Sequence, residues 1–197
     1  MFKSALHFFL VASIAAGQQG SDSRVKVLTV CEVLDDLDRY ADTNIAIVGR
    51  MLYSVSVIDH YEFLSQDHCK RAVITHGHVW SNEIQVWTFL EPGMPRPPGD
   101  KPELAQAEIT AKLTEVRKTT KLGTHTEPGL DARGRPNAAS MPNNWAVVYG
   151  RLVRSPRLNE DCGPSGCGGR NVPLIVLAQP DQVHILSTAG SPIIKEN

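Results

Sequence analysis

No stretch of the 197-residue sequence is apolar for long enough to cross a membrane as a helix. The N-terminal apolar run, Ala5 to Ala16, is interrupted by His7 and Ser13. It covers about 12 residues, against the roughly 20 that span ~30 Å of hydrocarbon. A surplus of one charge is missing as well: 20 Lys and Arg face 21 Asp and Glu, for a formal charge of −1. A general nucleic-acid binder needs a basic surface to displace counterions, and this balance argues against one. The basic groups Arg117, Lys118, Lys121 and Arg151, Arg154, Arg157 read as solvated faces. G-x-S-x-G, H-E-x-x-H, the P-loop and G-x-G-x-x-G are all absent, which lowers the expectation of an enzyme.

The N-terminus has the layout that a signal peptidase reads. Lys3 supplies a positive start, the apolar run follows, and small residues Ala15, Ala16 and Gly17 precede polar Gln18 and Gln19. Residues 1–20 are therefore expected to be a secretory signal peptide, and the mature chain to be secreted or periplasmic. No cysteine directly follows the run, which argues against a lipid anchor. Residues 21–190 fit a single domain, with 191–197 as a frayed tail. A content of 42% hydrophobic and 21% charged residues places that domain among soluble globular proteins rather than disordered ones.

An even number of cysteines in an exported chain reads as a disulfide framework. Cys31, Cys69, Cys162 and Cys167 allow three pairings. The favoured one is Cys31–Cys69 with Cys162–Cys167. The second pair closes the tight C-G-P-S-G-C loop; the first clips an N-terminal helix to the end of an early strand. Read instead as a zinc half-site, Cys162 and Cys167 lack a second Cys or His pair beside them.

Along the chain, Val25–Leu28 reads as extended. Thr29-Val30-Cys31-Glu32 has the capping-box form, and Val30, Val33, Leu34, Leu37 and Tyr40 line one helical face up to about Tyr40. A period-two run follows. Ile45, Ile47, Gly49, Met51, Tyr53, Val55 and Val57 share one face; Arg50, Ser54 and Ser56 share the other, with Gly49 marking a bulge or bend. Tyr61–Ser65, Ala72–His76 and Ile84–Leu90 are further strands. Four prolines rule out regular structure in residues 91–100. Asp100-Lys101-Pro102-Glu103 is expected to open a second helix with an apolar stripe of Ala105, Ile109, Leu113 and Val116, stopped by Gly123. Residues 124–143 form a long polar loop, either mobile or functional. Trp145–Arg154 is a strand with no clearly polar face, hence central. Val172–Ala178 and Gln182–Leu186 are the last strands, separated by Pro180.

The order helix, three strands, helix, two strands is that of an OB-fold, a five-stranded barrel with a helix between strands three and four. The stretch CEVLDDLDRYADTNIAIVGRMLYS, residues 31–54, resembles the opening of exported bacterial OB-like proteins of uncharacterised role. WAVVYGRLV, residues 145–153, repeats the strand-Gly-Arg look. The resemblance covers about half of the mature chain and leaves out insertions at 91–143 and 155–171. It implies a mainly β, small OB-like barrel and carries over no catalytic residue. Another small barrel or a sandwich remains the alternative architecture.

Three groups of residues are candidate sites. His76-Gly77-His78 places two imidazoles at i and i+2, with His68, His60 or Cys69 as a third ligand, but exposed turn histidines are the expectation and no metal is assigned. Trp80, Trp87 and Trp145 suit either an aromatic platform or core packing. The cysteines are structural. The expected function is an exported, non-enzymatic OB-like binding or structural module without a cofactor. Its partner would be an envelope protein, a glycan or a small ligand, met through the loops 124–143 and 155–171. The alternatives are a metal-binding protein or metal-dependent hydrolase using His76 and His78, and a nucleic-acid binder by fold analogy, which charge and export both oppose.

Overall fold

The computed structural model describes residues 25–55, 60–89, 92–119, 144–161 and 172–186. The leader, the loop 124–143, the Cys162 and Cys167 pair and the tail lie outside them. Strand β1 is Val27–Thr29, helix α1 Val30–Asp35 and helix α2 Leu37–Tyr40. Strand β2 is Asn44–Val55, β3 His60–Ser65, β4 Ile74–Thr75, β5 His78–Val79 and β6 Glu83–Trp87. Helix α3 is Gln106–Thr119, and strands β7, β8 and β9 are Asn144–Arg154, Leu174–Leu177 and Val183–Leu186.

Five strands close a barrel in the order β2-β3-β6-β8-β7, with β7 pairing back onto β2. The pairing is mixed: β6 and β8 are parallel, and the other neighbours are antiparallel. With α3 between the third and fourth barrel strands, this is a mainly β, OB-like barrel. The alternation of β2 points Ile45, Ile47 and Met51 inward. Leu64, Ile84, Val86, Ala146, Val148, Leu152, Leu174 and Val176 join them in one buried core. Helix α1 covers this core with Val30, Val33 and Leu34.

A second core lies outside the barrel. Val27, Ala46, Val48, Trp145, Val147 and Tyr149 are buried against Ile109, Leu113 and Val116 of α3. This explains why β7 shows no polar face: it is covered on both sides. A helix of 14 residues is marginal alone, and burial of its apolar stripe, at about 1.5–3 kcal/mol per side chain, holds it in place.

Strands β2 and β7 each change neighbour partway along. The first half of β2 pairs with β1 and its second half with β3. Likewise β7 pairs first with β9 and then with β8. Each strand has a glycine where the change occurs. A Cβ on Gly49 would lie 2.9 Å from Val30 Cγ2 and 3.2 Å from the Ser65 carbonyl oxygen. On Gly150 it would lie 2.5 Å from the Leu177 carbonyl oxygen. The repeated strand-Gly-Arg pattern therefore marks two close approaches of the backbone, required by the bend.

Several element bounds differ from expectation. The N-terminal helix has its capping box: the Thr29 hydroxyl accepts from the Glu32 N–H, and Glu32 accepts from the Thr29 N–H. It breaks at Asp36, whose φ of −142° is not helical. Helix α3 starts at Gln106, not Asp100, because residues 98–100 have other partners. The Asp100 carboxylate accepts from the Tyr149 hydroxyl at 3.0 Å. The buried Gln182 amide donates to the carbonyls of Pro98 and Asp100 at 2.9 and 3.1 Å. Of the strand expected over Ala72–His76, only Ile74 and Thr75 are extended, in a two-stranded hairpin with β5. Strand β6 ends at Trp87, short of Leu90.

Candidate functional site

Inward Met51, Leu64, Ile84 and Val86 force their strand neighbours outward. The outer face of β2, β3 and β6 therefore carries two registered rows. Arg50, Ser65 and Glu83 lie opposite one another across the three strands, and so do Leu52, Phe63 and Gln85. Trp87 continues the outward face of β6, half-buried, and Phe63 is 2% exposed.

The polar row opens into a groove of about 430 Å³. Its walls are Arg50, Ser65 and Glu83 with Gln66, Asp67, His68, Ser81 and Asn82 from the two ends of the β3–β6 connection. Those ends are clamped together, since the Gln66 N–H donates to the Asn82 carbonyl at 3.3 Å. Gln66 is 4% exposed and ties three elements together. Its Oε1 accepts from the Cys31 N–H at 3.0 Å, and its Nε2 donates to Thr119 Oγ1 at 3.3 Å. Cys31 is bonded to Cys69, with Cα atoms 5.1 Å apart, so the groove wall is covalently fixed to α1. His68 stands exposed in that wall in the left-handed region, at φ 58°.

Arg50 is the cation of the groove. Its side chain is 20% exposed, and Nη2 lies 3.7 Å from Asp67 Oδ1, beyond hydrogen-bonding distance. Its Nε is buried without a hydrogen-bond partner. On the neighbouring strand β3, Glu62 shares the inward parity of Leu64. Burial pushes its carboxyl above the ordinary range.

The residues singled out in the sequence separate into different places. The Cys31–Cys69 bond forms; Cys162 and Cys167 lie outside the described residues. His76 and His78 do not share a strand face. His76, at φ 49°, and Gly77, at φ 78°, make the turn of the β4–β5 hairpin. His78 lies edge-on to Trp80 with centroids 4.8 Å apart. Cys69 is spent in the disulfide, and among the described residues no group of three His, Cys, Asp or Glu is arranged to hold a metal. The tryptophans do not form a platform either. Trp80 is buried in the barrel core and donates to Thr75 Oγ1 at 2.7 Å; Trp145 is buried beneath α3, with Arg117 over its ring. Only Trp87 reaches the outer face. Of the groove, the alternation of β2 signalled Arg50, Ser65 fell in the expected strand Tyr61–Ser65, and His68 was named only as a candidate metal ligand. Asp67, Ser81 and Asn82 come from irregular segments with no periodicity to reveal them.

Among the described residues no helix is long and apolar enough to cross a membrane. No protein-family model matches the chain, and neither a curated protein nor a solved structure is found to match it.

Proposed function

We propose that this protein is an exported OB-like binding module that holds its ligand on the outer face of β2, β3 and β6. The observation that carries the reading is the registered polar row Arg50, Ser65 and Glu83 opening into a groove of about 430 Å³. That size falls within the range of small-ligand pockets, and the face is the one OB-folds commonly use. The Cys31–Cys69 bond supports export, since such bonds persist in oxidising compartments. The leader pattern at residues 1–20 supports it independently.

Two measurements test the reading. Mass spectrometry of protein from a secreting host should find it outside the cytoplasm without about its first 20 residues. Full-length protein retained in the cytosol overturns export. Amide spectra of the mature protein titrated with fractionated envelope extract should show saturable shifts at Arg50, Ser65, Gln85 and Trp87. Shifts confined to the opposite side, over α3, overturn the assignment of the face.

A further inference from the structure

We propose that the groove recognises a zwitterion, the carboxylate and ammonium of an amino acid or of a short peptide. This rests on the binding reading above and names its ligand class.

The argument starts from Arg50. A guanidinium offers five N–H donors in a planar fork, suited to bidentate pairing with an oxyanion. Among the described residues, the acid within ion-pair distance of Arg50 is Asp67, and at 3.7 Å it accepts no hydrogen bond. The fork therefore lines a groove with much of its donor capacity unused. Most buried polar atoms in proteins are satisfied; Arg50 Nε, like Arg151 Nε, is buried and unbonded, and of the two arginines Arg50 lines the groove. A carboxylate entering the groove would complete the fork with charge-assisted hydrogen bonds.

The other walls select which anion enters. Asp67 places a carboxylate beside the guanidinium. A dianion such as phosphate would bring two negative charges against Asp67 and offer it no cation in return. A simple cation would be attracted by Asp67 but repelled by Arg50. A ligand carrying both charges a few bonds apart satisfies both walls: its carboxylate faces Arg50 and its ammonium faces Asp67. Ser65 and Asn82 add neutral polar groups to the lining. Arg151 provides an internal comparison. It follows the second bend glycine and lies 3.6 Å from Asp42, with its own Nε buried and unbonded, but it is not part of the groove.

The test is an amide-spectrum titration of the oxidised mature protein with glycine, triglycine, acetate, methylammonium and inorganic phosphate. Glycine or triglycine should give saturable shifts at Arg50, Ser65, Asp67 and Asn82, and the two together separate a free amino acid from a peptide. Acetate, methylammonium and phosphate should bind at least about tenfold more weakly, the loss of one charge-assisted contact. Arg50→Gln and Asp67→Asn should each abolish the shifts, and Arg151→Gln should leave them unchanged. If Arg50→Gln loses its folded spectrum, Arg50→Lys decides, because it keeps the charge and loses the fork; weakened binding is expected and unchanged binding overturns the proposal. Acetate or phosphate binding as tightly as the zwitterions, or no response to either zwitterion, also overturns it. If envelope extract still shifts the same face in that last case, the binding reading stands and the ligand class alone has failed.

Discussion

Glu32 binds two elements at once: Oε2 accepts from the Thr29 N–H at 2.8 Å, and Oε1 accepts from Lys112 of α3. The capping carboxylate of α1 is thus also the anchor of a helix 80 residues further on. Burial opposes its ionisation. The hydrogen bonds from Lys112 and Thr29 outweigh that, and hold its carboxyl below the ordinary range. A lowered folded pKa contributes stability that is present above the unfolded value and is lost as pH falls through the folded one. Glu32→Gln should therefore destabilise the protein at neutral pH. The gap to wild type in urea midpoints should shrink on acidification below about pH 4. A constant gap would assign the effect to packing instead.

The two bend glycines should respond unequally to alanine. At Gly49 the nearest atom to the new methyl is a side-chain carbon, Val30 Cγ2 at 2.9 Å, with the nearest backbone atom at 3.2 Å. At Gly150 it meets the Leu177 carbonyl oxygen at 2.5 Å, which belongs to a paired strand and cannot shift. Overpacking typically costs about 1–3 kcal/mol. Gly49→Ala should fall within that range and Gly150→Ala at its upper end or beyond, measured by denaturant unfolding.

The alkaline limb of stability should report on Tyr149. Burial and the hydrogen bond to Asp100 push its phenol up to about 12. The unfolded phenol titrates near 10, so its contribution is complete below that pH and disappears as pH rises through the folded value. The loss is of order 2–3 kcal/mol across that window. Tyr149→Phe should cost about 1 kcal/mol at neutral pH and flatten the alkaline decline. A decline as steep as in wild type would implicate other groups.

Reduction should loosen the groove before it unfolds the barrel. The Cys31–Cys69 bond spans 38 residues, for which chain entropy gives about 3–4 kcal/mol. The Cys31→Ser, Cys69→Ser protein should lose that much stability. Its residues 66–69 should exchange amide protons faster than β2 and β7. Equal acceleration throughout would mean that the bond acts on the unfolded chain alone.

Much of this architecture was legible in the sequence, because it depends on periodicity and caps. The alternation from Ile45 to Met51 gave the inward face of β2, and Thr29 with Glu32 gave the start of α1. The barrel order and the place of α3 between barrel strands followed the OB-like expectation. What failed was local chemistry overruled by distant partners. Asp100 looks like a helix cap, but Tyr149 and Gln182 engage it, and α3 begins six residues later. The strand expected over Ala72–His76 shrinks to Ile74 and Thr75, because the β4–β5 turn takes up His76, in line with the expected exposed turn histidine. The groove was the least legible feature, since five of its eight walls lie in irregular chain brought together by one hydrogen bond and one disulfide.

The neighbour exchange along β2 and β7 bears on how the molecule comes apart. Ile45 and Ile47 face the barrel while Ala46 and Val48, on the same strand, face α3. The two apolar interiors therefore meet across one layer of backbone, that of β2 and β7, and the most slowly exchanging amides should belong to these shared strands.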